Sequence, residues 1–194
     1  MAVFCGVDPG TDKSGFVLFD NVDKRVIFSS EFKNEIVRSI LRVEGDFPLI
    51  PDVETWEAFF IEDIESMGLV VGKSTFQTVK WIGRFIEAYE YSTKKKAVGI
   101  SRGDEKITLC GTRTFVNPKT GSRKAVTDAN IKSAVIDRFL PLGGGKTPQV
   151  GTRIQPGPLY GVKGHCWQAL AVLITGLENF EKQAIVSHQE RVVR

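Results

Sequence analysis

Three short apolar stretches open the chain, VFCGVD, GFVLFD and RVIFSS, separated by the turn-forming segments PGTDKSG and NVDK. Strand-length apolar runs broken by Gly, Pro, Asn and Asp predict an antiparallel hairpin whose third strand continues a meander. The spacing then changes. Ile36, Val37, Ile40 and Leu41 recur at helical intervals and predict a helix over residues 34–43. The segment GDFPLIPD contains two prolines and reads as a connection, after which AFFIEDI is a compact apolar run ending in acid, the pattern of a buried strand. Over residues 75–91, Phe76, Val79, Trp81, Ile82, Phe85, Ile86 and Tyr89 cover a wide helical face, which predicts that Phe76 and Trp81 belong to the core.

A short strand is expected at KAVGI and a short helix over residues 104–109, with Ser101 near its start. Residues 111–126 read as a polar excursion. Thr127 is a good N-cap for a helix over residues 128–139, which Pro141 ends. Residues 142–163 are rich in Gly and Pro and predict a long surface loop, followed by a strongly apolar helix over residues 165–177. The order of elements suits an α/β fold with a mixed central sheet, the antiparallel meander plus parallel strands, flanked by helices. One domain over residues 1–180 is expected, with a charged tail at 181–194 that frays.

Composition narrows the classes. With 194 residues, 42% hydrophobic and 25% charged, the chain has enough apolar residues for one sizeable core. No apolar run reaches the ~18 residues of a membrane span, and MAVFCGVDPG reads as a strand rather than a signal peptide, so a cytoplasmic location is expected. Cys5, Cys110 and Cys166 lack metal-type spacing and read as buried thiols in a reducing compartment. A net charge of +3 permits nucleic-acid binding without arguing for it. Local clusters matter more: Lys94-Lys95-Lys96 and TRTFVNPKTGSRK are rich in base and poor in acid.

Two acids stand where charge is costly. Asp8 ends the first apolar strand, and Glu62 lies near the end of the later one. Were those strands neighbours, the carboxylates would meet at one sheet edge, where a hard divalent cation relieves their repulsion and activates water against a phosphodiester. Otherwise Asp8 merely starts a turn and Glu62 is a strand-end charge. Alternation puts Glu62 on the face of Phe60 and Ile64, and Asp63 on that of Ile61 and Glu65, without deciding which face meets Asp8. His165 and Gln168 share a helix face, so His165 could ligate a metal or move a proton.

These segments resemble a known family. GVDPGTDKSGFVLFD is similar to the first motif of the RuvC Holliday-junction resolvases, FFIEDIESMG to the second, and SRGDEKITLCG to the Arg-x-x-x-Lys region. TDANIKSAVIDRF and GHCWQALAVLITG resemble the closing helices, and VGKSTFQTVKWIGRFIEAYE looks most like the shorter phage-encoded members. The match runs in order over residues 2–178. It implies a ribonuclease-H-like fold and a homodimer that nicks branched DNA in the bacterial host cytoplasm, using Mg²⁺ or Mn²⁺ and two ions per site. By the resemblance, Asp8 and Glu62 become metal ligands, and Lys106 the cation near the scissile phosphate. His165 and Gln168 stand where the last acids are usual, so one acid is missing, with Asp128 or Glu65 as its substitute. DNA contacts are expected from Lys73, Lys80, Arg84, Lys106, Arg113, Lys119, Arg123, Lys124 and Lys132, with Phe76 as a possible wedge.

Other classes compete. The Asp-x-Gly-Thr turn also opens sugar-kinase and actin-like ATPases, which need two such domains. Gly72-Lys73-Ser74 suggests a phosphate-binding loop, but Met67 stands where that motif requires Gly. A branched-DNA-binding module that lost its metal, for which Gln168 speaks, and a protein scaffold without DNA affinity complete the set.

Overall fold

A computed structural model of the chain describes residues 1–65, 72–116 and 118–192, with side chains described through residue 182. Met67 and Gly68, on which the phosphate-loop reading turned, lie outside the described residues, as do the other residues of the second motif beyond Glu65.

The meander forms as expected from β1 (Val3–Asp8), β2 (Lys13–Asp20) and β3 (Arg25–Lys33). A helix, α1 (Asn34–Leu41), and a 3₁₀ turn at Val53–Thr55 lead to β4 (Ala58–Asp63), which pairs with β1 in parallel. After α2 (Lys73–Thr93), β5 (Val98–Ser101) pairs in parallel with β4. Among the described residues these strands make one five-stranded sheet in the order β3-β2-β1-β4-β5. The chain continues through α3 (Arg102–Cys110), β6 (Thr114–Val116), β7 (Arg123–Ala125), α4 (Asp128–Ile136) and α5 (Cys166–Val192).

Strict alternation divides the core into two layers. Val3, Cys5, Val7, Phe16, Leu18, Phe59 and Ile61 pack on Val37 and Leu41 of α1 and on Ile82, Phe85 and Tyr89 of α2. On the opposite face Phe4, Val17, Phe19, Ala58, Phe60 and Ile100 pack on Leu109, Ile131, Val135 and the Ala169–Leu173 stretch of α5. Both faces of the central strands are covered, which is why their sequences are nearly continuous apolar runs.

Four expectations change. Residues 111–126 hold the β6–β7 hairpin, which strand patterning missed because its residues are all exposed and carry no apolar alternation. The buried side chains of α2 begin at Ile82, so Phe76 and Val79 are exposed, at 58% and 45%, whereas Trp81 packs against Phe85 at 5.7 Å. The 142–163 segment is not wholly superficial, since Leu159 and Val162 enter the core. Helix α4 stops at Ile136 rather than 139, while α5 runs well beyond residue 177 to Val192. No described helix is long and apolar enough to cross a membrane.

Thr127 caps α4 as its position predicted, in a reciprocal box with Asn130. Thr127→Ala is expected to cost about 1 kcal/mol, read from the midpoint of chemical unfolding.

Candidate active site

The turn after β1 fixes the first acid. Gly10 N–H donates to Ser14 Oγ (3.3 Å), Ser14 Oγ–H to Asn34 Oδ1 (2.7 Å), and Asn34 Nδ2 to the Gly10 carbonyl (3.0 Å). Ser14 and Asn34 are buried, so this closed circuit ties the turn to α1. A side chain at Gly10 would run into the Lys13 carbonyl oxygen, which explains glycine there.

Parallel pairing of β1 with β4 sets Phe4 beside Ala58 and Val7 beside Ile61. The next step in that register brings Asp8 beside Glu62, on the face covered by α5. Register therefore selects Glu62 over Asp63, whose Oδ1 instead accepts from the Ile64 N–H at 2.8 Å. Asp8 is 9% exposed. Burial raises the Asp8 carboxyl above its ordinary value despite a hydrogen bond with Glu62. Glu62 is pushed up to about 8, first by burial and then by the hydrogen bond with Asp8 and its charge. Both carboxyls are thus held above their ordinary values, chiefly by burial.

His165 is the residue before α5, and its Nδ1 lies 3.4 Å from Asp8 Oδ2. Its placement depends on β3, because the His165 N–H donates to Glu31 Oε1 at 2.8 Å. Gly164 precedes it at φ +48°, where a side chain would strike the Glu31 carboxylate. Glu31 is thus a positioning residue that sequence patterning missed, since its partner is 134 residues away.

Arg102, at the start of α3, supplies the opposite charge. Its Nη1 contacts Glu105 Oε2 at 2.5 Å and its Nη2 pairs with Asp128 Oδ1. Glu105 has no exposed surface, and its Oε1 has no hydrogen-bond partner. Burial outweighs the pull of Arg102 and raises the Glu105 carboxyl. Arg102 is the Arg of the Arg-x-x-x-Lys region, whereas Glu105 was not singled out from sequence. An acid in an Arg-x-x-Glu helical start reads as an ordinary surface pair until α4 and α5 cover it.

Asp128, the expected fourth ligand, pairs with Arg102, and Glu65 is exposed. Gln168 lines an open groove of about 490 Å³ together with Asp128, Lys132, Lys163 and Trp167. There Lys132 Nζ sits 4.4 Å from the centre of the Trp167 ring. Lys106 is half-buried on α3, and Arg113 lies against Gly103 at the start of the same helix. Arg123 and Lys124 are exposed on β7. Lys73, Lys80, Arg84 and Phe76 belong to α2, across the sheet from α5, where Arg84 stacks over Trp81 at 4.6 Å. A more apolar cavity of about 470 Å³, lined by Phe19, Phe139, Ile174 and Leu177, includes none of the expected site residues.

Among the described residues no three His, Cys, Asp or Glu side chains gather around one point as a ready-made metal cage. The acid pair still suits Mg²⁺, which is commonly held by one or two carboxylates, its waters and a substrate phosphate. Two neighbouring carboxyls raised above their ordinary values are a donor set whose charged form such an ion would stabilise.

No family model and no curated protein matches the chain. Solved structures do. One is T. thermophilus RuvC in complex with Holliday junction substrate, with a TM-score of 0.54 and 17% identity over 90% of this chain and 92% of that one. Another is the Thermus thermophilus RuvC structure, with a TM-score of 0.54 and 16% identity over 89% of this chain and 92% of that one. The paired acids and the start of α5 thus sit on a ribonuclease-H-like fold, of which RuvC is a structural neighbour over about nine-tenths of the chain.

Proposed function

We propose that this protein is a structure-selective endonuclease that resolves Holliday junctions or related branched DNA by metal-dependent phosphodiester hydrolysis. The observation that carries this reading is the Asp8–Glu62 pair, two carboxyls brought side by side at the ends of the adjacent parallel strands β1 and β4, with His165 3.4 Å from Asp8. The fold it shares with a junction-bound structure supports the substrate class.

Asp8 and Glu62 would hold the cation, with His165 at its edge. When bound, Mg²⁺ or Mn²⁺ lowers the pKa of water and offsets negative charge on the phosphate; the resemblance to RuvC implies two such ions. His165 Nδ1 stands where it can accept or return a proton beside Asp8. Lys106 offers a cation to the scissile phosphate. The product is a nick bearing a 5′-phosphate. Lys132 and Lys163 line the groove beside the site, and Arg113, Arg123 and Lys124 extend the basic surface over the hairpin. Phe76 and Val79, exposed on α2, would give a second copy of the chain an apolar face to cover in a homodimer.

Neutral Gln168 favours a second reading, a branched-DNA-binding module with a weakened site. Cleavage of an end-labelled four-way junction, with duplex and flap controls, in Mg²⁺ and in Mn²⁺ separates the two. Paired nicks near the branch point establish the nuclease, tight binding without nicks in either metal establishes the module, and neither binding nor cutting removes DNA from the account.

The hairpin has its own test. Arg123→Ala with Lys124→Ala is expected to weaken junction binding about tenfold at low salt and to reduce the slope of log affinity against log salt by about 1–2. An unchanged slope would show that these side chains make no phosphate contact.

A further inference from the structure

We propose that the β6–β7 hairpin selects branched DNA that carries unpaired nucleotides at its branch point, with Phe115 as the side chain that stacks on such a base. The proposal rests on the nuclease reading and deepens it by naming the substrate class.

Both feet of the hairpin stand at the sheet edge that carries the paired acids. Strand β5 ends at Ser101, which pairs with Asp63, the neighbour of Glu62. Helix α3 starts one residue later, and a side chain at Gly103 in its first turn would strike the Arg113 guanidinium. At the other foot Val126 is buried in the core and Thr127 caps α4, whose first residue, Asp128, pairs with Arg102. The approach to Phe115 is clamped as well. Thr112 Oγ1–H donates to the Thr114 carbonyl at 2.8 Å, and the same oxygen accepts from the Thr114 N–H at 3.2 Å.

The hairpin is cationic and apolar together. Residues 112–127 include Arg113, Lys119, Arg123 and Lys124 and no acid. Every residue of its two strands is exposed, so Phe115 at 42% and Val116 at 57% serve no core. The register sets Phe115 across from Lys124 and Val116 across from Arg123. Residues so paired share a face, and each apolar side chain therefore stands beside a cation. A ring for a base and a cation for the adjoining phosphate are the two parts of a platform for single strands. A second copy of the same hairpin would meet it with like charge, whereas a polyanion complements it.

Fully paired DNA does not suit this ring. There each base is already stacked on both sides, and pulling one out costs at least what a single new stack returns. An unpaired nucleotide carries no such cost, so one aromatic side chain suffices to select it.

The test compares two four-way junctions in EDTA, one fully paired and one with unpaired thymines at the branch point. Wild-type protein should bind the second about tenfold more tightly. Phe115→Leu should abolish that difference and leave the slope of log affinity against log salt as it was, because no phosphate contact is lost. Phe115→Tyr should keep the preference. With 5-iodouracil at an unpaired position, irradiation should crosslink the base to Phe115, identified by peptide mass spectrometry of the unaltered protein. Equal affinity of wild type for the two junctions, or a crosslink to another element, would overturn the proposal. A Phe115→Leu protein that keeps the preference would do the same. Weaker binding of both junctions with a shallower salt slope would mean that Phe115 only shapes the cationic surface, and the proposal would fall. A change in sedimentation without a change in preference would assign the face to a second copy of the chain instead. Wild-type protein that binds neither junction would fell the nuclease reading together with this proposal, whereas nicking of both without preference would fell this proposal alone.

Discussion

Asp8→Asn is expected to reduce metal-dependent nicking of a four-way junction by at least ~10³-fold, about 4 kcal/mol of lost transition-state stabilisation. Junction affinity in EDTA should stay within a few-fold, because the phosphate contacts are elsewhere. The same substitution has a stability signature of opposite sense. Glu62 titrates near 8 in the fold against 4.5 when free, so the contribution of its protonated form is complete below pH ~4.5 and is lost as pH rises through about 8. The wild-type protein without metal should therefore melt at lower temperature at pH 8 than at pH 5.5, and Mn²⁺ should reverse most of that fall. In Asp8→Asn the contribution of the Asp8 charge is gone and the slope should become shallower, with the part due to burial of Glu62 and Glu105 remaining. A variant whose slope is as steep as wild type and whose nicking is undiminished would show that Asp8 and Glu62 do not act as a pair.

Gly6→Val carries the largest expected cost to the fold itself. A side chain at Gly6 would run into the Ala169 carbonyl oxygen and come within 2.6 Å of Leu173 Cβ, where α5 lies directly on β1. The Ala169 backbone and the Leu173 Cβ, both fixed to the α5 backbone, leave little room to yield. Overpacking there should cost about 3 kcal/mol and lower the melting temperature by roughly 6–12 °C. Gly83→Ala is the contrasting case. Its position on α2 faces open space, so relief of glycine's helical penalty should stabilise by ~0.5–1 kcal/mol. A Gly6→Val protein as stable as wild type would mean that α5 is not seated on β1 as described.

The fold was legible in the sequence to the extent that one periodicity ruled each segment. Cys5 and Val7 alternate with Phe4 and Gly6, and both sets are apolar or small, so β1 announces a strand covered on both faces. Asp8 stood out for the same reason, as an acid closing such a run. The choice between Glu62 and Asp63 was not legible, because it depends on which face α5 covers and on parallel register with β1, both long-range facts. Glu105 was hidden for a related reason. Nothing in its neighbours signals burial; that arises where α3, α4 and α5 meet. Glu31 lies in an exposed-looking strand and becomes meaningful only through the distant N–H of His165. The hairpin escaped because Thr114–Val116 and Arg123–Ala125 bury nothing, so no pattern of burial could mark them.

That hairpin leaves and rejoins the body at nearly one point, where the Val126 N–H donates to the Arg113 carbonyl at 3.1 Å. Everything between those residues can lengthen, shorten or change its charge without disturbing a strand of the main sheet or a carboxyl at its edge. On the proposed function, the chemistry of cutting would thus be separate from part of the surface that meets DNA. A graft of a differently shaped or differently charged loop between Arg113 and Val126 is a way to retarget the protein to another DNA shape while its cutting centre stays as it is.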